Sequence, residues 1–274
     1  MKKILLVVLV VLAVVVSIVT MVACSSKLVV MAEAGSAGED FAKDYAKKNA
    51  GFKFVSAQAQ RDVLTELTAQ TADIGIIDSI MANYYIKTAG STFADKLEVV
   101  AIDAEQETYA IGFRKTDVYL TQKVNKALYD LQQEGKIAEI AATYGLTDSL
   151  VAFAEPTVDE TLDKTSFEYV TGRGKMIIGY TIFAPIAYEN ANKELIGFDT
   201  DVAKAVCTKL GINAEFQEID WNTKEVELNA KNIDAIWNGM TLTEERAASM
   251  SMSASYLKNT QVAVVRKGEA SIVK

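Results

Sequence analysis

The sequence predicts an α/β protein built from two similar lobes, each a mostly parallel sheet wrapped by helices. Three observations carry this. Short apolar runs without polar alternation are separated by helical stretches, the pattern of strands buried on both faces. Each half opens with such a run, Leu28-Val-Val-Met31 in one and Met176-Ile-Ile-Gly179 in the other. An internal echo is the third: Glu66-Leu-Thr-Ala-Gln-Thr-Ala-Asp73-Ile-Gly-Ile-Ile parallels Glu227-Leu-Asn-Ala-Lys-Asn-Ile-Asp234-Ala-Ile-Trp-Asn. Both stretches give a helix end, a polar turn, an aspartate that fixes the turn, and an apolar strand. Two layered lobes follow.

The elements come in order along the chain. Met1-Lys2-Lys3 and the uncharged apolar run 4–20 form a targeting segment ending at Met21-Val-Ala-Cys24-Ser-Ser, which resembles a bacterial lipobox. Residues 1–23 are therefore read as a lipoprotein signal peptide, with Cys24 lipidated and the folded part outside the cytoplasmic membrane. The run is also long enough to span a bilayer uncleaved, so an anchor or plain secretion stays open. After the strand at Leu28, helices are expected over 39–49 and 61–69, and a strand over 74–77 ends at Asp78. Residues 24–107 make the first lobe and 108–274 the second. Within the second, 151–174 is a polar connector with little periodicity, followed by the strand at Met176, helices over 199–210 and 243–250, and a strand over 261–265. Cys207 lies with Ala203 and Leu210 at helical spacing and is expected in the core.

Composition excludes several functions. The 274 residues carry a net charge of −8, which argues against nucleic acid as a partner. There is no histidine, so Ser-His-Asp and Cys-His catalysis and the usual zinc sites are absent. Two cysteines build neither a thiolate zinc cluster nor a disulfide framework. No catalytic residue, cofactor or metal is expected.

Several motifs share one resemblance. Gly179-Tyr-Thr-Ile-Phe-Ala-Pro-Ile-Ala-Tyr188, Glu194-Leu-Ile-Gly-Phe-Asp-Thr-Asp-Val-Ala-Lys-Ala-Val206 and Ile233-Asp-Ala-Ile-Trp-Asn-Gly-Met-Thr-Leu-Thr-Glu-Glu-Arg246 follow one another in the C-terminal half. Gly35-Ser-Ala-Gly-Glu39, Ala72-Asp-Ile-Gly-Ile-Ile-Asp78, Glu107-Thr-Tyr-Ala-Ile-Gly-Phe-Arg-Lys115 and the helices through Leu146 precede them. Together they resemble the type II extracellular solute-binding proteins of amino-acid ABC transporters (solute-binding family 3), with the two halves in circularly permuted order. The resemblance implies a periplasmic-binding-protein-like II fold, capture of a free amino acid by lobe closure, an ABC permease as partner, membrane attachment through the lipid anchor, and no enzyme activity. The alternatives are a sensor or interaction protein, a rearranged homologue that binds nothing, and a dehydratase on the same fold, which needs a positioned general acid.

A free amino acid sets the site residues. Arg246 lies in the first turn of a helix for which Thr241-Leu-Thr-Glu244 and Thr243-Glu-Glu-Arg246 both suit the N-terminus; it opposes the helix dipole, and a ligand carboxylate would explain its position. On spacing alone it reads equally as a solvated arginine paired with Glu244 or Glu245. Ser36 and Ala37, between a strand and a helix, would offer N–H groups to the same carboxylate from the other lobe. Asp78, at a strand's carboxyl end, is the candidate for the ligand ammonium, or else an N-cap. Asn238, Gly239 and Thr241 stand at the matching strand end and would complete the ammonium shell. Phe183 and Trp221 are candidates for the side-chain wall, and Trp237 is wall or core. Glu225 and Glu227, after Trp221, either bear on specificity or form a solvated helix face, and the latter is the expectation. No acid stands in Tyr180-Thr-Ile, so the expected ligand is not basic. In permuted order only 108–113 would cross the hinge as continuous chain, with 261–265 paired to 109–113. The short segment 25–27 would then set the membrane beside the first strand at the hinge.

Overall fold

The computed structural model describes residues 27–88 and 91–274. The segment 1–23, read above as a signal peptide, and Cys24 lie outside the described residues. In the first lobe the order is β1 (Leu28–Glu33), α1 (Ala37–Lys48), β2 (Phe52–Ala57), α2 (Gln60–Thr68), β3 (Ile74–Asp78), α3 (Ser79–Lys87) and β4 (Leu97–Val100). The chain then passes through β5 (Gln106–Tyr109) and β6 (Gly112–Arg114) to α4 (Val118–Gln133) and α5 (Lys136–Tyr144). The connector contains α6 (Thr165–Gly172), and β7 (Lys175–Tyr180) follows. After the hairpin β8 (Tyr188–Glu189) and β9 (Leu195–Ile196) come α7 (Phe198–Lys209), β10 (Asn213–Glu218), α8 (Lys224–Asn229) and β11 (Ala235–Ile236). The chain closes with α9 (Glu244–Ser249), β12 (Met250–Met252) and β13 (Leu257–Arg266).

The two sheets have one plan. The first runs β2-β1-β3-β13-β4 and the second β10-β7-β11-β6-β12. In each, the first three strands are parallel and the last two are antiparallel to their neighbours. The strands lack polar alternation because both faces are covered: along β1, Val30 and Ala32 enter one cluster with Ala42 and Phe52, while Met31 enters another with Val63 and Leu67. The internal echo has a structural counterpart. Asp73 Oδ2 accepts from Val29 N at 2.7 Å, and Asp234 Oδ2 accepts from Ile177 N at 2.7 Å. Arg266 on β13 bonds the carbonyls of Ala72 and Leu67 and meets Asp73. Arg114 on β6 bonds those of Ile233 and Leu228 and meets Asp234. An arginine on the antiparallel strand thus pins each aspartate turn.

The hinge differs from the sequence expectation. β5 does pair with β13, but through Leu257–Tyr109 to Thr260–Gln106; residues 261–265 lie in the first sheet against β3 and β4. Two strands therefore cross between the sheets, and 261–274 leave the second lobe for the first. The reason is length: β13 is a 10-residue strand, long enough to serve both the hinge and a sheet. The start of β1 is also misplaced by the sequence reading. Parallel pairing of Val30 with Ile74 and antiparallel pairing of Gln261 with Asp78 set Leu28 at the pole away from the hinge. Ile272 and Val273 pack in the same cluster as Leu28, so both ends of the described chain share that pole. The connector is ordered by side chains of α4: Gln132 bonds Val151 and Phe153, and Tyr119 donates to Glu160 at 2.9 Å.

Candidate functional site

The carboxyl ends of the parallel strands of both sheets face each other across the hinge, where ligands of open α/β sheets bind. β1 ends at Glu33, and the turn Ala34–Gly35 leads into α1. Ser36 caps this helix: its hydroxyl accepts from Glu39 N at 3.0 Å and donates to the Glu33 carbonyl at 2.7 Å. Gly35 adopts φ 71°, and a Cβ there would stand 3.1 Å from Asn222 Cα of the other lobe, so the close approach of the lobes needs glycine. Opposite, Thr243 caps α9 by accepting from Arg246 N at 3.2 Å. The Arg246 side chain turns inward and is 9% exposed. Its Nη1 donates to Thr241 O at 2.7 Å and its Nη2 to Gly35 O, across the lobes, at 3.1 Å. Burial lowers its pKa. It forms no ion pair with Glu244 or Glu245 among the described residues.

A cavity of about 400 Å³ lies here, lined by Gly35, Ser36, Ala37, Asp40, Lys224, Glu225, Thr243, Glu245 and Arg246. Arg246, Ser36 and Ala37 thus share one pocket although they are far apart in sequence. Two buried cations and the first N–H groups of α1, which have no intrahelical acceptor, suit an oxyanion. Asp40, Glu225 and Glu245 supply negative charge on the same wall. The lack of an acid at 180–182 therefore does not leave the pocket without acids, and the sequence argument against a basic ligand loses its force. Glu225 lines the cavity and is not simply part of a solvated face.

Asp78 is placed otherwise than expected. It is buried, and its carboxylate accepts from Tyr109 OH at 2.8 Å, from Gln261 Nε2 at 3.1 Å, and from Gln60 and Asn259. It makes no side-chain cap bond to α3. In this structure it is a buried junction tying β3 to both crossing strands, with its lone pairs already taken. Burial, then the charge of Glu107, raises its pKa to about 6, against the pull of its donors. Glu107, on the crossing strand β5, accepts from Thr241 Oγ1 at 3.1 Å and from Gln261 Nε2 at 3.0 Å. Thr241 therefore connects Arg246, through its carbonyl, to this network.

The remaining candidates sit behind the pocket. Gly239 N donates to Asp199 Oδ2 at 2.7 Å, and Asn238 Nδ2 to Thr181 Oγ1 at 2.8 Å. Phe183 is packed edge-on to Tyr109 at 6.4 Å, and Trp237, 1% exposed, belongs to the second lobe's core. Trp221 packs with Leu228, Ile233 and Met240. These aromatics do not line the cavity; burial within the lobe, where their apolar area is best hidden, explains all three. Cys207 is buried, as expected, and its thiol is pushed up to about 12.

Sequence reasoning missed three charged residues. Glu33 is 4% exposed, and burial, then the charge of Asp78, raises its carboxyl to about 8. Glu107 lay inside a quoted motif but was given no role. Lys224 is 5% exposed, and burial, then the charge of Arg246, lowers its pKa to about 8. The one available signal was a charged residue directly after an apolar strand, at Glu33. Among the described residues no cluster of acids and thiols is arranged to hold a metal.

Comparison with known proteins meets this geometry in one half of the chain. Residues 176–274 match the model of the bacterial extracellular solute-binding proteins, family 3. The arginine-binding extracellular protein ArtP of Bacillus subtilis is 32% identical over 98 residues, 35% of this chain and 38% of that protein. The L-cystine-binding protein TcyJ of Escherichia coli is 26% identical over 113 residues, 41% of this chain and 42% of that protein. A polar amino acid ABC uptake transporter substrate-binding protein from Streptococcus thermophilus is 44% identical, with TM-score 0.30, over 31% of this chain and 32% of that one. The matches span 38% and 42% of the length of these two curated relatives. The fold itself is mixed α/β, with two sheets of one strand order, each wrapped by helices. The similarity to the bacterial extracellular solute-binding proteins, family 3, is thus confined to the C-terminal part of the chain.

Proposed function

We propose that the protein captures a free amino acid between its lobes, as an extracytoplasmic lipoprotein serving an ABC importer. One observation carries the reading: Arg246, a buried arginine that has no carboxylate partner among the described residues, faces the N-terminus of α1 across a cavity between the two lobes. A buried guanidinium is costly unless an anion meets it, and the planar fork suits a carboxylate. Asp40, Glu225 and Glu245 would attract the ammonium. Closing and opening would use the paired strands β5 and β13. Relatives named for arginine, cystine and polar amino acids support this ligand class. The order of motifs supports a permuted chain, and the lipobox-like Cys24 supports the anchor. The pole that carries Leu28, away from the hinge, would then face the membrane and leave the lobes free to move. Glu33 is held protonated at neutral pH, the state a general acid requires, but it does not line the cavity, so capture is preferred over dehydration.

Thermal unfolding with each standard amino acid at millimolar concentration tests this. A ligand at a hundredfold its Kd adds about 2.7 kcal/mol, worth about 2–4 °C per kcal/mol at this size. One or a few amino acids should raise the midpoint, and Arg246→Ala should abolish the rise. A cooperative transition that no amino acid moves would defeat the proposal.

A further inference from the structure

Lys224 starts α8 in the second lobe. Its ammonium donates to the Gly35 carbonyl of the first lobe at 2.9 Å and to the Trp221 carbonyl at 3.1 Å, and stands 4.9 Å from the Trp221 ring. Arg246 Nη2 donates to the same Gly35 carbonyl at 3.1 Å. Two cations, each more than nine-tenths buried, thus meet on one neutral oxygen, and among the described residues neither stands in an ion pair. Neutral carbonyls of Gly35, Trp221 and Thr241 and one ring face are poor compensation for two charges taken out of water. Lysine needs no such position to pack: its stem could carry the ammonium to solvent, as lysine usually does. The cavity beside them is walled by Ser36 and Ala37 at the N-terminus of the 12-residue helix α1, so guanidinium, ammonium and backbone N–H donors converge there.

We propose that Lys224 is a second carboxylate-binding residue, which takes the ligand carboxylate together with Arg246 at the point where both meet the Gly35 carbonyl. This rests on the proposed amino-acid capture and deepens it. The ligand class is narrowed to molecules with a free carboxylate, since an amide or ester would leave two buried cations unmatched. Because Lys224 and Arg246 sit on the second lobe and Gly35 to Ala37 on the first, the carboxylate would be held by both lobes at once.

The test is the Kd of the full chain, by titration calorimetry, for each standard amino acid that it binds, in wild type, Lys224→Met and Lys224→Arg. Losing a charged hydrogen bond should weaken binding by about 10–100-fold in Lys224→Met. Lys224→Arg should stay within about fivefold, a rescue that lost packing alone would not give. The unliganded melting temperature of each variant reports folding; if Lys224→Met is unfolded, Lys224→Gln, which keeps a donor and loses the charge, takes its place with the same expected loss. A Kd unchanged in the methionine or glutamine variant overturns this role for Lys224 while leaving amino-acid capture intact, and so does equal loss in the neutral and arginine variants. Binding of no amino acid by wild type overturns both.

Discussion

Gly239 shows how tightly single residues hold the floor of the cleft. It adopts φ 62°, and a Cβ would stand 2.8 Å from Phe183 Cε1 and 3.0 Å from Tyr109 Cε2. Gly239→Ala should therefore destabilise by about 1–3 kcal/mol, through both backbone strain and overpacking, read as a lower urea midpoint with unchanged slope. Glu33 makes a pH prediction. Its carboxyl is pushed up from the ordinary 4.5 to about 8 in the fold, because it is buried. A folded pKa above the unfolded one means the folded state keeps this proton after the unfolded chain has lost it, so the contribution to stability is complete below about pH 4.5 and is lost as pH rises through about 8. Thermal melts should fall across that window by an amount worth on the order of a few kcal/mol, and Glu33→Gln should flatten the fall. A steeper fall in the variant would contradict the assignment. Residues of this kind were hard to see in sequence. Arg246 was legible because a first-turn arginine opposes its helix dipole, a local signal. Lys224 and Glu107 were not, because what makes them notable is a partner more than a hundred residues away.

Among the elements, the two aspartate turns allow a controlled comparison. Asp234 is nearly fully buried and meets Arg114 and Arg173, whereas Asp73 meets Arg266 with about a fifth of its side chain exposed. Asp234→Ala removes a buried carboxylate that two half-buried arginines share and should cost about 3 kcal/mol; Asp73→Ala, at a carboxylate that water screens, should cost about 1. Equal urea midpoints for the two variants would contradict this. The echo that exposed this pair was readable because both copies repeat the same local chemistry within a dozen residues. Helices α1, α2 and α7 were readable for the same reason, being bounded by capping or turn residues next to apolar spacing. The hinge register was not readable: antiparallel pairing of β5 with β13 leaves no local trace, and only the length of β13 decides that residues 261–265 enter the first sheet. Helix α6 was missed because polar residues dominate its surroundings and Val170 is its only fully buried side chain.

At the scale of the molecule, the two sheets share one strand order, and the paired strands that cross between them place Ser36, Ala37, Lys224 and Arg246 around one cavity. The two-lobed class followed from repetition in the sequence, but the division at 107/108 did not survive, because the last strand returns to the first lobe. Of the expected site residues, Arg246, Ser36 and Ala37 come together on one cavity, while Asp78 is taken up at the hinge and the three aromatics pack in the cores. The central claim is that an amino acid is held between the lobes with its carboxylate on Arg246. The most direct test is a crystal structure of the protein with the amino acid that raises its melting temperature most. The account predicts the ligand carboxylate within hydrogen-bond distance of the Arg246 guanidinium and of the first N–H groups of α1. A ligand bound elsewhere, with Arg246 still turned to Thr241 and Gly35 alone, would contradict it.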